Sequence, residues 1–233
     1  MCAIRAVRAP GRRAFVALAA AGLCGMPGRA AGLRPAPLPA VQALARLQAG
    51  NAAFAQAPAL CAARLQQQRA QLATRQAPWA TVLCCADSRV PPELVFGGLG
   101  LGQLFVARNA GHLPDATTLG TLEYGCTVLG VPLIVVLGHG RCGAVAAATA
   151  VVRGQARLPG FLGTLVEAIV PTARAVAGRP GDFTDNAVRE HARRTAQHIA
   201  TRSQAIAQGV AGGRVRVVAA LYNLDSGEVE FLA

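Results

Sequence analysis

The sequence predicts an α/β fold, a mostly parallel β-sheet of about four strands plus an antiparallel edge strand, flanked by helices. Short apolar runs with β-branched residues alternate with longer stretches whose apolar residues recur at helical spacing, the pattern of parallel-sheet proteins. Two of these runs, Thr81–Cys85 and the one within Leu133–Cys142, stop at cysteine, aspartate, arginine or histidine, as strands do when their carboxyl ends carry a site. The last run, Glu228–Phe231, follows a turn at Gly227 and suits an antiparallel edge.

Taken in order, residues 1–31 read as an export signal. Arg5, Arg8, Arg12 and Arg13 form a charged n-region, Ala14–Cys24 is apolar, and Gly28, Ala30 and Ala31 are small enough for a cleavage site. The apolar run is too short to span a bilayer. Gly11–Val16 resembles a twin-arginine signal without its usual Ser or Thr and Lys, so the expected destination is the periplasm; an unprocessed chain would stay cytoplasmic with a basic tail. Residues 32–39 form a Pro-containing linker, and residues 40–233 a single domain.

The domain opens with helical spacing at Val41, Leu44, Ala45 and Leu47, breaks at Pro58, and resumes it across Leu60–Leu72. After the central strand Thr81–Cys85, Val90-Pro91-Pro92 interrupts the chain and Glu93–Phe96 starts a short helix. The glycine run Gly97–Gly102 is a turn: it precedes the strand Leu104–Ala107, whereas a dinucleotide loop follows its strand. Helices are expected over Ala116–Leu129, Gly143–Val152, Val166–Val176 and Asn186–Gln208, the last with Val188, Ala192, Thr195, Ile199 and Ile206 on one face. Gly212-Gly213 ends it, and Arg214–Leu221 is the next strand.

The chemistry sits at the two strand ends, T-V-L-C-C-A-D-S-R and L-I-V-V-L-G-H-G-R-C. Adjacent parallel strands would bring Cys85 together with His139 and Cys142. Two thiolates and an imidazole are a zinc donor set, and three protein ligands leave a fourth position for water, the arrangement of catalytic zinc. Asp87 can orient a zinc-bound hydroxide by accepting its hydrogen bond, and Arg89 can hold Asp87 ionised through a charge-assisted pair. Two thiolates leave the site close to neutral, so such help is needed.

Composition sets further bounds. A chain of 233 residues, 53% hydrophobic, can bury one substantial core. The net charge of +12 raises the question of nucleic acid, but the excess is N-terminal: residues 1–86 hold ten arginines and no acid, and residues 87–233 hold thirteen arginines against eleven acids. No basic cluster is interleaved with aromatics, and no nucleic-acid module is present. Of seven cysteines, Cys2 and Cys24 fall in the signal. Among Cys61, Cys84, Cys85, Cys126 and Cys142 no disulfide framework or C-x-x-C redox pair emerges. Cys84 alternates to the face opposite Cys85 and reads as core, as does Cys126.

With these residues in place, C-x-D-S-R (Cys85–Arg89) and H-x-x-C-G (His139–Gly143) together resemble the β-class carbonic anhydrases. So do L-x-x-G-N-x-x-F (Leu47–Phe54), Gly102–Gly111, L-E-Y-G (Leu122–Gly125) and Arg216–Gly227, and the resemblance covers roughly residues 40 to 233. It implies reversible hydration of CO2 to bicarbonate and a proton by zinc-bound hydroxide, with Cys85, His139 and Cys142 as zinc ligands. It implies catalytic roles for Asp87 and Arg89, Asp87 becoming a fourth ligand in a closed state. It further implies a substrate-pocket role for Gln76 from a partner subunit, and N-terminal helices that pack across a homodimer or larger homo-oligomer. One branch of that family carries an inhibitory bicarbonate site of Trp, Arg and Tyr; Arg108 and Tyr124 match, but Val82 stands at the Trp position, so an open site near neutral pH is expected.

Other readings of the residues are a hydrolase of CS2 or COS on the same scaffold, and a non-catalytic, zinc-stabilised bicarbonate-binding module. The latter would need neither Asp87 nor Arg89. His112, where the family more often has asparagine, reads as a hydrogen-bonded or exposed loop side chain outside the catalytic set.

Overall fold

Parallel pairing of two buried strands organises the sheet. In the computed structural model, which describes residues 38–56, 69 and 72–232, β1 (Ala80–Cys85) lies between β2 (Leu104–Asn109) and β3 (Leu133–His139). Next come β4 (Arg216–Tyr222), parallel to β3, and β5 (Val229–Leu232), antiparallel to β4, giving the order β2-β1-β3-β4-β5. The expected sheet, with its antiparallel edge, is what the chain forms. The export signal, most of the linker, Cys61 and nearly all of the expected Leu60–Leu72 helix lie outside the described residues.

Every residue of β1 and β3 is buried, because helices cover both faces. On one face Val82, Cys84, Val135 and Leu137 pack with α1 (Ala40–Gln56) and α2 (Pro92–Val95) through Leu44, Leu47, Val95 and Phe96. On the other, Leu83, Ile134 and Val136 meet Leu122 of α3 (Ala116–Thr127) and the helices that close the chain. Between β3 and β4 run α4 (Gly143–Val152), α5 (Gly160–Glu167), α6 (Val170–Val176), α7 (Phe183–Arg202) and α8 (Gln204–Ala211).

Two helices read as continuous in the sequence are divided in the structure. The Asn186–Gln208 pattern breaks at Ser203, whose extended backbone frees its hydroxyl to accept from the Ile206 N–H at 3.2 Å and to donate to Glu123 at 2.6 Å. The apolar spacing survives the break, since Ile199 and Ile206 enter the same core, so periodicity could not reveal the cap. Val166–Val176 is likewise two helices, because α5 starts earlier, at Gly160, and ends at Glu167, and Pro171 supplies the first turn of α6, where a missing N–H costs nothing.

The Gly50-Asn51 pair fastens α1 to the sheet. A Cβ at Gly50 would overlap the Phe96 carbonyl oxygen, so only glycine lets α1 approach the turn after α2. Asn51, 5% exposed, donates to the Val95 and Gly227 carbonyls at 2.9 and 2.8 Å and accepts from the Val229 N–H at 2.7 Å. One side chain therefore ties α1, α2 and the β4–β5 turn. Replacing it strands three backbone groups at about 1–3 kcal/mol for each that stays dry, so Asn51→Leu should destabilise the fold by about 2–4 kcal/mol. Denaturant unfolding checks this: a lower midpoint at unchanged slope is expected, and an unchanged midpoint contradicts the tie.

Candidate metal centre

The pairing of β1 with β3, Thr81 to Cys84 against Ile134 to Leu137, delivers Cys85 and His139 to neighbouring strand ends. The chain then turns sharply through Gly140 and Arg141, the latter at φ 53°, and returns Cys142 as the residue that caps α4. Three bonds hold this turn open: Gly140 N–H to the Tyr222 carbonyl at 3.0 Å, and the Arg141 guanidinium to both carboxylate oxygens of Asp225 at 2.9 Å.

The result is one compact group of buried donors. Ligand atoms of Cys85, His139 and Cys142 all lie within 4.8 Å of one another, and the two sulfurs are 4.0 Å apart. Two thiolates about 2.3 Å from a tetrahedral zinc would stand about 3.8 Å apart. His139 Nδ1 lies 2.9 Å from the Gly140 carbonyl, which can only accept, so Nδ1 carries the proton and Nε2 presents its lone pair. Nε2 is buried with no hydrogen-bond partner among the described residues, an arrangement that costs stability unless a metal takes the lone pair. The donor set is that of zinc, with three protein ligands.

Electrostatics agree. The Cys85 thiol is held well below its usual range, first by the Cys142 hydrogen bond and then by backbone N–H groups including Gly111, against the opposing effect of burial. Cys142 is pushed up by that same neighbour and by burial. By contrast burial pushes Cys84 up to about 12 and Cys126 up to about 11, values of inert core thiols. Cys84 does face away from Cys85, in a different core cluster.

Asp87 stands at the rim. Its Oδ2 is 3.9 Å from His139 Nε2, yet the carboxylate is turned to Arg89, which donates from Nε at 2.9 Å, from Nη2 at 2.7 Å and from its backbone N–H at 3.0 Å. These bonds hold Asp87 well below the ordinary carboxylate range. Arg89 also reaches the Arg141 carbonyl at 3.4 Å, so the dyad is joined to the His139–Cys142 turn.

Five of the six expected site residues thus converge. Gln76 does not: it is exposed in the stretch before β1. Val82 is buried inside β1, and Tyr124 is 45% exposed beside Phe105. Arg108, which the sequence offered only as one third of an inhibitory site, has another task. It donates to the Cys85 carbonyl at 3.0 Å and to the Asp87 carbonyl at 2.6 Å, clamping the backbone that carries ligand and acid. His112 corrects a sequence expectation: it is fully buried, neither ring nitrogen has a hydrogen-bond partner among the described residues, and its ring packs at a tilt against that of His191. No local signal announces this, because helix α7 that covers the loop begins about seventy residues later.

Comparison with known proteins agrees with this geometry. The carbonic anhydrase family model matches residues 80–229. Carbonic anhydrase 2 of Mycobacterium tuberculosis is 40% identical over 189 residues, spanning 80% of this chain and 90% of that protein. The carbonic anhydrase of Mycolicibacterium smegmatis is 41% identical over 192 residues, spanning 82% and 92%. Among solved structures, the β-carbonic anhydrase CcaA superposes with a TM-score of 0.65 at 26% identity, over 82% of this chain and 92% of its own. One of two tetrameric β-carbonic anhydrases of Sordaria macrospora shares the fold at a TM-score of 0.64 and 23% identity, over 73% of this chain and 89% of its own. The matched span holds Cys85, His139, Cys142 and the Asp87–Arg89 pair, and the chain belongs to the β class of the carbonic anhydrase family.

Proposed function

We propose that this protein is a zinc carbonic anhydrase that interconverts CO2 and bicarbonate, with Cys85, His139 and Cys142 holding the metal and Asp87 and Arg89 serving the reaction. The observation that carries this reading is a three-ligand site with an ionised carboxylate poised beside it and held off it by an arginine. Zinc bound there supplies a Lewis acid that makes a water molecule nucleophilic near neutral pH.

The chain's own residues supply the rest. Asp87 can only accept hydrogen bonds while ionised, so it orients the attacking water by taking one of its protons in a hydrogen bond. Arg89, with 50% of its side chain exposed, keeps Asp87 ionised and turned from the ligands. Arg108 and the Arg141–Asp225 pair fix the two backbone segments that carry these groups. Behind the ligands, Val145, Val166 and Ile169 pack with Cys85 and Cys142 in one buried apolar cluster, which keeps water from that side of the site.

We assign Gln76 to the substrate pocket of a neighbouring subunit, which fits its exposure in a single chain. A dimer or larger assembly is supported by β2, an edge strand that begins Leu-Phe-Val-Ala and whose Phe105 ring lies beside the half-exposed Tyr124. Export to the periplasm is supported by the arginine-rich start and the apolar run Ala14–Cys24. Among the described residues no helix is long and apolar enough to cross a membrane.

Stopped-flow CO2 hydration tests the function. Asp87→Asn should keep its zinc and lose roughly 10- to 100-fold in kcat/KM, the usual effect of removing a group that orients a metal site. Full activity in that variant, or an inactive parent loaded with zinc, would contradict the proposal. Localisation and assembly are read from one preparation: cells expressing the full chain should yield a periplasmic product shortened by roughly 30 residues, and it should sediment as a dimer or larger. A full-length cytoplasmic monomer would overturn both assignments.

A further inference from the structure

His191 lies on α7, is 3% exposed, and sits 80 residues from the loop it touches. Its Nε2 is 2.8 Å from the Gly111 carbonyl oxygen. A carbonyl only accepts, so Nε2 carries the proton and donates. Burial lowers the His191 pKa and keeps the ring in that neutral form. On the other side of the same residue, the Gly111 N–H points at Cys85 Sγ, 3.4 Å away.

The turn between these two bonds has little preference of its own for its shape. Gly111 is at φ 76° and His112 follows at φ 42°, two successive left-handed residues of which the second is not glycine. A Cβ on Gly111 would come 2.8 Å from Ile169 Cδ1, so the turn is also pressed against α5 and α6 at their junction. Asn109 fixes one arm: its side chain accepts from the Leu113 N–H at 2.6 Å and donates to the Leu113 carbonyl at 2.9 Å and to Thr118 at 3.0 Å. The tip is held from α7. That helix can reach it because Gly138 has no side chain; a Cβ there would already stand 3.3 Å from Ala192 Cβ. The buried His112 ring packs against His191 at a tilt of 45°, ring centres 4.6 Å apart, and helps shut water out of the His191–Gly111 bond.

We propose that His191 is a positioning residue of the metal centre: its Nε2–H fixes the Gly111 carbonyl, and the turn so held aims the Gly111 N–H at the Cys85 sulfur. This rests on the reading of Cys85 as a zinc ligand. An N–H donated to a ligating thiolate orients the sulfur and draws off part of its charge, and outer contacts of this kind govern how firmly a site holds its metal. In a site with two thiolates, that bond also preserves the acidity the metal lends to water.

The test compares His191→Leu, which removes the donor, with His191→Gln, whose side-chain amide places an N–H near the position of Nε2. Zinc affinity is measured by competition with a chelator, and the thiolate-to-metal charge-transfer band is recorded after cobalt substitution. The Leu variant should bind zinc about 10-fold or more weakly with an altered cobalt band, whereas the Gln variant should remain within about threefold of the parent. A folded Leu variant with the parent's zinc affinity and cobalt spectrum overturns the proposal. If the Leu variant fails to fold, His191→Asn replaces it, with a donor too short to reach Gly111; Asn binding zinc as well as Gln overturns the proposal, and Asn binding more weakly supports it. A parent that binds no zinc would remove the ligand reading of Cys85 and this inference together, while a loaded parent with indifferent variants removes this inference alone.

Discussion

Everything at this site depends on the parallel pairing of β1 with β3. Cys85 and His139 are 54 residues apart in the chain, and only the alignment of Thr81–Cys84 with Ile134–Leu137 sets them side by side. Both strands are buried along their whole length, so the register is fixed by core packing on two faces. A slip by one residue would exchange Cys84 for Cys85 and set the core-facing thiol beside His139. The second thiol needs no further long-range pairing, because the His139–Cys142 turn folds it back within the same loop.

Around that pairing, the positive charges act as clamps more than as a general field. Arg89 grips Asp87, Arg108 grips the two carbonyls flanking the ligand strand end, and Arg141 grips Asp225. Arg189 and Arg194 on α7 are likewise engaged, with Glu230 and Glu190. Exposed pairs of this kind add little stability one by one, but the two-pronged grips of Arg89, Arg108, Arg141 and Arg189 fix where backbone and side chains point. The +12 charge of the whole sequence thus says little about the site.

The parts legible in the sequence were those carried by residue type and short spacing. C-x-D-S-R and H-x-x-C use residues that seldom occur together without a metal, and apolar runs alternating with helical stretches are enough for a parallel sheet. Harder were features whose cause is distant. Ser203 splits a helix without disturbing its apolar face, so the pattern around Ile199 and Ile206 looks continuous. His112 reads as a loop side chain until α7 covers it. Gly50 and Asn51 were visible as a motif, but their purpose, one close approach and three hydrogen bonds, belongs to elements that meet only in the folded chain.

If Cys85, His139 and Cys142 are the ligands, one zinc is held by two sulfurs and one imidazole, with the last position left to a light atom. X-ray absorption at the zinc edge of the purified, zinc-loaded protein reads this most directly. One zinc per chain is expected, with two sulfur neighbours at about 2.3 Å and two nitrogen or oxygen neighbours at about 2.0–2.1 Å. A shell of three or four sulfurs, or one with none, would contradict it.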